Sequence, residues 1–333
     1  MREFQILTDA VSDLPPSWVR AHNYLTIVDT PIVVSGPREV LDFVDLGPDD
    51  FDQVAQYVER GYNAFTSQPA IFDPDGENPR SVESLTKFYL DQGKDVIYVT
   101  MNGTLSGTFE MATMLYRDLD LYAMERGRRL LCIDSHCMST GLALLFLEID
   151  TAIQSGQIDS IEKVADYVGV ERGHIGHFFT WRKLDYIKRS GRVSSVQSIV
   201  ADILHLRLMC SAQYSDPYTR KLEHINPHAR IIGLNGFAKA LGIYARRHVQ
   251  NPTGPVIVAH GNAPHDAELV ANRLREYLPD AEFLMGPEWR CGAGIQVHGG
   301  PTSLHINFHT DPVGTLKETT EEMEAIILGL RRG

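Results

Sequence analysis

Short apolar, β-branched runs alternate with helix-like segments through the first half of the chain. Phe4 to Leu7, Tyr24 to Val28, Pro31 to Val34, Val96 to Val99 and Leu130 to Ser135 read as strands. Helical spacing of apolar positions predicts helices from about Pro48 to Arg60, Val82 to Gln92, Phe109 to Leu119 and from Ser139 through Ile153. A shorter helix is expected through Trp18, Val19 and His22, with Asp13 or Ser12 as its cap and a proline in its first turn. Strands alternating with helices argue for a mostly parallel sheet, whose ligands gather at the carboxyl ends of the strands. Asp9, Ser106 and Asp134 all follow strands in that way.

The pattern changes after Ser155-Gly156-Gln157, which sets the expected boundary between an N-terminal domain, 1–155, and a C-terminal domain, 156–333. Beyond it the spacing predicts a helix from Ser160 to Arg172, a strand near Gly176 to Phe179 and a helical, apolar run from Ser195 to Leu208. Cys210 to Ile232 reads as strand, loop and strand. Phe237 to Val249 and Ala267 to Leu278 read as helices, Val256 to Gly261 as a strand and Thr315 to Leu330 as the last helix. Strict alternation from Leu304 to His309 puts His305 and His309 on the polar, wet face of a strand. His298 falls at a glycine-rich turn beside that strand, and no internal repeat is present.

Candidate chemistry centres on Asp95 to Ala112, read as strand, loop and helix. The first N–H groups of a helix lack intrahelical partners and form its positive end, so such a loop suits an anion, a phosphate or a carboxylate. Ser106 and Thr108 add hydroxyls, and Gly103 and Gly107 let a ligand approach the backbone. The plain alternative is a hydroxyl that only caps the helix. Thr66, Ser67 and Gln68 precede Pro69 and are expected in a loop, either facing a ligand or forming a simple turn. Lys183 to Val193 is the one obviously basic stretch: it is either a solvated helix end capped by Gly191 or a surface from which Arg192 reaches an anion.

Composition narrows these options. The chain has 333 residues, 43% of them hydrophobic, enough for two cores, and its formal charge of −12 argues against nucleic acid or an anionic membrane as the main partner. No run reaches membrane-spanning length and the N-terminus carries no signal-peptide core, which predicts a cytoplasmic protein without integral membrane association. Four cysteines without a Cys-x-x-Cys pair predict reduced thiols. The histidines lack metal spacing, so His174 and His177 are read as structural and no metal is expected. No Walker loop, dinucleotide fingerprint or nucleophile elbow appears.

Together the motifs resemble the DegV family of bacterial fatty-acid-binding proteins. Six segments carry the likeness, in family order: Thr8 to Pro15, Thr66-Ser67-Gln68-Pro69, Leu105-Ser106-Gly107-Thr108-Phe109, Ile133-Asp134-Ser135, Leu184 to Ser194, and Gly294 to Pro301. The resemblance implies a two-domain α/β fold, with an N-terminal mostly parallel sheet flanked by helices, a C-terminal α/β domain with a mixed sheet, and a long-chain fatty acid held between the domains. It implies that Ser67 (or Thr66) and Ser106 hydrogen-bond the carboxylate, with Arg192 and His298 near the head group. It also implies a non-catalytic role, in which a separate fatty acid kinase catalytic protein phosphorylates the presented acid to an acyl phosphate, and no cofactor beyond the bound lipid. Thr100-Met101-Asn102-Gly103-Thr104 departs from the family's paired serines, and Asp73 to Ser81 and Gln213 to Arg230 look longer than usual. Two other readings compete: an enzyme acting on a small phosphorylated metabolite through Asp9, Asp134 or His298, and a scaffold whose lipid is purely structural.

Overall fold

The apolar run at the N-terminus forms β1 (Phe4–Asp9), which leads through a single 3-10 turn (Ala10–Ser12) into α1 (Pro16–Ala21). The structure, a computed structural model, describes residues 3–35, 40–43, 51–66, 70–190, 206–211 and 226–332. β2 (Leu25–Val28), β3 (Ile32–Ser35), β4 (Val40–Phe43), α2 (Phe51–Glu59) and β5 (Asn63–Thr66) come next. They are followed by α3 (Val82–Asp91), β6 (Asp95–Thr100), α4 (Thr108–Asp118), α5 (Asp120–Glu125), β7 (Leu130–Asp134) and α6 (Ser139–Gln154). The remainder comprises α7 (Ile161–Glu171), β8 (Ile175–Trp181), α8 (Asp185–Ser190), β9 (Leu206–Ser211), β10 (Asn226–Ile232), α9 (Gly233–His248) and β11 (Pro255–His260). After these lie α10 (Pro264–Arg275), β12 (Glu282–Leu284), α11 (Ala293–Gly299), β13 (Ser303–His309) and α12 (Leu316–Arg332).

The first sheet has the order β2-β1-β6-β7 with every pairing parallel. Because successive side chains alternate, Phe4, Ile6, Ile97 and Val99 pack on α6 and α7 while Leu7, Val96 and Tyr98 pack on α3, α4 and α5. Both faces are thus covered, which is why these strands read as continuous apolar runs.

The second sheet has the order β10-β9-β8-β13-β11-β12 and is mixed, parallel only between β11 and β12. One face, with Phe178, Ile306, Phe308 and Val258, is sealed by α9, α10 and α12. The other meets α6, whose residues share one apolar cluster with Phe4 and Ile97 of the first sheet and Ile257 and Ala259 of the second. Residues 139–146 of α6 are buried without a break over two full turns. A helix placed between two sheets has no solvent side, so it must be apolar all round.

That packing corrects the expected wet face of β13. His305 is 2% exposed and Asn307 is fully buried, because the polar side of the strand lies under the small, polar first turn of α6. Asn307 Nδ2 donates to Thr140 Oγ1 at 2.6 Å, and His305 Nδ1 shares a hydrogen bond of 3.0 Å with His177 Nε2. His309, at the strand end, is partly buried and pairs with Glu171 at 2.9 Å. Gly141 is what lets α6 approach so closely: a Cβ there would lie 2.8 Å from His177 Nδ1 and 3.1 Å from Asn307 Oδ1.

Three further expectations are corrected. Asp13 and Ser12 do not cap α1, whose N-cap is Pro15, because the Asp13 carboxylate is engaged by Ser139 and Gly292. His298 lies on α11 and not in a turn; the seven-residue segment is too short for periodicity to separate helix from strand, and the turn follows at Gly300, φ 78°. Of the apolar run Ser195 to Leu208, residues 195–205 lie outside the described residues, and Leu206 to Leu208 belong to strand β9. A third, antiparallel sheet, β4-β3-β5, packs with α2, Tyr186 and α11, and the polar stretch containing β4 carried no strand signal. Among the described residues no helix is long and apolar enough to cross a membrane.

Two outcomes are expected. Gly141→Ala should cost about 1–3 kcal/mol by overpacking, read as a lower urea midpoint with an unchanged slope. Burial holds His305 neutral, lowering its pKa to about 3, and holds His177 well below its ordinary value. Below about pH 6.5 the unfolded chain therefore takes up protons that the fold refuses, and stability is lost as pH falls. For His305 alone this amounts to about 2 kcal/mol at pH 5, and His305→Gln should remove that share of the slope in urea titrations at pH 7 and 5.

Candidate functional site

Ser106 sits in the loop joining β6 to α4, and neighbouring strand ends hold that loop from beneath. Met101 N–H donates to Asp9 Oδ2 at 2.6 Å, and Tyr98 O–H donates to Asp9 Oδ1 at 2.5 Å. Gly103 N–H donates to Asp134 Oδ2 at 3.1 Å, while His136 N–H donates to Asp134 Oδ1 at 2.8 Å. Asn102 completes the framework: its Nδ2 donates to His136 O, and its Oδ1 accepts from both Thr104 N–H and Thr104 Oγ1. Burial pushes Asp9 up to about 6, against the pull of Tyr98 and Met101. Each of these two acids therefore gives one carboxylate oxygen to the backbone of the Ser106 loop.

The serine itself is half-buried, and its hydroxyl lies 2.8 Å from Thr108 Oγ1. Its hold on the helix is weak, since Thr108 N–H reaches Ser106 Oγ only at 3.3 Å and Gly107 is the N-cap. Leu105, next to it, joins an apolar cluster with Met138, Phe179, Trp181, Leu184 and Ile187. Trp181 is 2% exposed, with an Nε1–H that has no hydrogen-bond partner among the described residues. Sequence reasoning missed this donor, because a tryptophan in an apolar strand signals core.

The backbone of α11 approaches the same tryptophan at Gly299, next to His298. His298 is half-buried on α11, and a Cβ at its neighbour Gly299 would lie 3.0 Å from Trp181 Nε1. α11 packs against α2, β5, α8 and the 3-10 turn after β1. Its N-cap, Gly292, donates N–H to Asp13 Oδ1 at 2.9 Å, and Ser139 Oγ donates to Asp13 Oδ2 at 2.5 Å. Burial pushes Asp13 up to about 7, with these two bonds opposing the shift.

A cavity of about 450 Å³ opens beside this junction. Val11, Leu14, Val19, Ile27, Ile32 and Ala293 supply its apolar wall, and Arg80, Arg290, Asp29 and Glu288 add charged groups. Two relations tie it to predicted residues. Ile32 is the register partner of Thr66 across β3 and β5, and Gly294, which lines the cavity, lies four residues before His298 on the same helix face. Ser106 is not among its lining residues. Thr66 ends β5 and so belongs to a strand, not to the expected loop; Ser67 and Arg192 lie outside the described residues, Arg192 two positions beyond the end of α8. Among the described residues no group of three or more His, Cys, Asp or Glu side chains could hold a metal ion.

Residues 3–310 match the model of the DegV family, described as an uncharacterised protein family. This chain belongs to the DegV family. A DegV domain-containing protein of Clostridium perfringens is 26% identical over 93% of this chain and 99% of its own length. A DegV lipid-binding protein of Thermotoga maritima shares the fold with a TM-score of 0.71 at 19% identity, covering 94% of this chain and 100% of its own. The fatty acid kinase B3 protein of Streptococcus pneumoniae, solved loaded with linoleic acid, superposes with a TM-score of 0.68 at 19% identity over 92% of this chain and 99% of its own. The α/β architecture, one parallel and one mixed sheet, is thus the DegV fold along nearly the whole chain.

Within this DegV-family chain, Asn102 fixes the loop through Thr104 and the His136 carbonyl. Asn102→Ala removes the acceptor of Thr104 N–H and Oγ1 and the donor to His136 O, at about 1–3 kcal/mol for the hydrogen bonds lost. The expected outcome is a stability loss of about 2 kcal/mol or more in urea, with faster amide exchange confined to residues 101–107.

Proposed function

We propose that this protein binds a long-chain fatty acid between two domains, residues 1–155 and 156–333, and presents its carboxylate to a separate fatty acid kinase catalytic protein. Ser106, His298, Thr66, Ser67 and Arg192 form the head-group site, and the acyl chain occupies the cavity beside α11. The observation that carries this reading is the double link between the cavity and the predicted anchors, Ile32 with Thr66 and Gly294 with His298. The volume falls within the range of small-molecule sites, and the lining comes from residues 10–80 and 288–294, on either side of the proposed boundary. The lipid-binding and linoleic-acid-loaded relatives of the same fold support the choice of ligand, and the kinase named for the latter supports the choice of partner.

Physical chemistry favours this arrangement. A buried carboxylate needs several donors, and the hydroxyls, an imidazole and an arginine supply them without a catalytic acid. The competing enzyme reading would need Asp9, Asp134 or His298 as an acid or base; the two acids each already accept two hydrogen bonds from the protein, and His298 is assigned here to the head group. The protein is therefore read as a carrier and not a catalyst.

Native mass spectrometry of the purified protein, followed by extraction, tests the proposal. A stoichiometric long-chain fatty acid is expected, and Ser106→Ala or His298→Ala should each weaken its retention by about tenfold or more, the equivalent of a lost hydrogen bond to a charged group. Acyl phosphate should form only when a fatty acid kinase catalytic protein and ATP are added. A protein that arrives empty and takes up no fatty acid overturns the reading, and a phosphorylated metabolite in its place, or turnover by the protein alone, establishes the enzyme instead.

A further inference from the structure

Asp13 joins three segments that are distant in sequence. It belongs to the corner after β1, adopts a left-handed backbone with φ 53°, and is 8% exposed. One carboxylate oxygen accepts the Gly292 N–H at the start of α11, and the other accepts Ser139 Oγ at the start of α6. Ser139 itself has φ 49°, so the first residue of α6 is held in a conformation that L-residues avoid, and its hydroxyl is directed onto Asp13. Cys291 Sγ lies 3.9 Å from the same hydroxyl, and the Cys291 N–H donates to His260 O on β11. The corner is thus attached at once to α6, to α11 and, through Cys291, to the second sheet.

Neighbouring acids show what such contacts do. Asp9 and Asp134 accept the N–H groups of Met101 and Gly103 and thereby place the Ser106 loop. Asp13 makes the same kind of contact with the helix that carries His298. α11 has only seven residues, and its N-cap, Gly292, has no side chain of its own with which to cap it. A helix that short is marginal by itself, so its position depends on outside contacts.

We infer that Asp13 is the positioning residue for α11, setting where His298 and the Ala293–Gly294 wall of the cavity stand. The inference rests on the fatty-acid reading for its functional consequence, not for its structural one. Removing the carboxylate frees α11 from the β1 corner and α6 and lets His298 depart from the head group. An amide at the same place keeps an oxygen for Gly292 N–H and offers an N–H to Ser139 Oγ.

Two measurements test this on the full chain. In ligand-free protein, hydrogen exchange over residues 293–299 should accelerate about tenfold or more in Asp13→Ala and stay within about threefold of wild type in Asp13→Asn. Fatty acid release should quicken about tenfold in Asp13→Ala, recover in Asp13→Asn, and change less than about twofold when Asp13→Ala is added to His298→Ala, because both act through one contact. Unchanged exchange over α11 in Asp13→Ala overturns the inference, as do effects of Asp13→Ala and His298→Ala that are fully additive. If wild type binds no fatty acid, the functional reading fails while the exchange experiment still decides the positioning role. Should Asp13→Ala not fold, Ser139→Ala removes one of the two bonds and should give a smaller acceleration of the same residues, its absence again counting against the inference.

Discussion

Everything in this structure is arranged around a helix whose first two turns have no solvent face. α6 lies between the parallel sheet and the mixed sheet, so each residue over its first two turns meets protein on every side. The apolar part of that demand is met by Leu142, Leu144, Leu145, Phe146 and Ile149. At the N-terminal end the helix instead meets polar groups, and small residues are required. Ser139 reaches Asp13, Thr140 reaches Asn307, and Gly141 leaves room for His177. The same helix end therefore fixes the β1 corner and the polar face of β13, which explains why two buried histidines can sit in a sheet with no acid beside them. Their mutual hydrogen bond satisfies one nitrogen of each ring, and burial keeps both neutral.

Much of this was legible in the sequence, for identifiable reasons. The strands of the parallel sheet are buried on both faces, so runs such as Val96 to Val99 carry their signal locally, and the helices between them show helical spacing. What the sequence misrepresented depended on partners far along the chain. Alternation in β13 is real, but its polar face is covered by a helix more than 150 residues earlier, and nothing within Leu304 to His309 reports that. Asp13 before Pro15-Pro16 matches a helix cap, yet its partners are Ser139 and Gly292. The anion-loop motif around Ser106 was found because hydroxyls and glycines before a helix have a local meaning, whereas Trp181 carried none. A lone tryptophan at the end of a strand becomes a potential donor only when a distant segment, here Gly299 of α11, closes on its indole nitrogen.

The buried acids also bear on how a protein of formal charge −12 would accommodate the proposed fatty acid. Charges spread over the exposed surface act weakly beyond a Debye length of about 8 Å at physiological ionic strength, so the local groups decide. Within the fold, Asp9 and Asp134 are turned toward backbone donors of the Ser106 loop and away from the role of free anions. Asp13 lines the cavity, but burial lifts its pKa to about 7, so near neutral pH a large part of the population presents a neutral carboxyl to that wall. If the cavity holds the proposed acyl chain, an uncharged Asp13 suits it better than an ionised one, since no ion there has to be stripped of water when the chain enters. The desolvation that makes this acid costly to ionise is thus the property that makes its place in an apolar wall tolerable. Its two hydrogen bonds keep the corner fixed while it stands there.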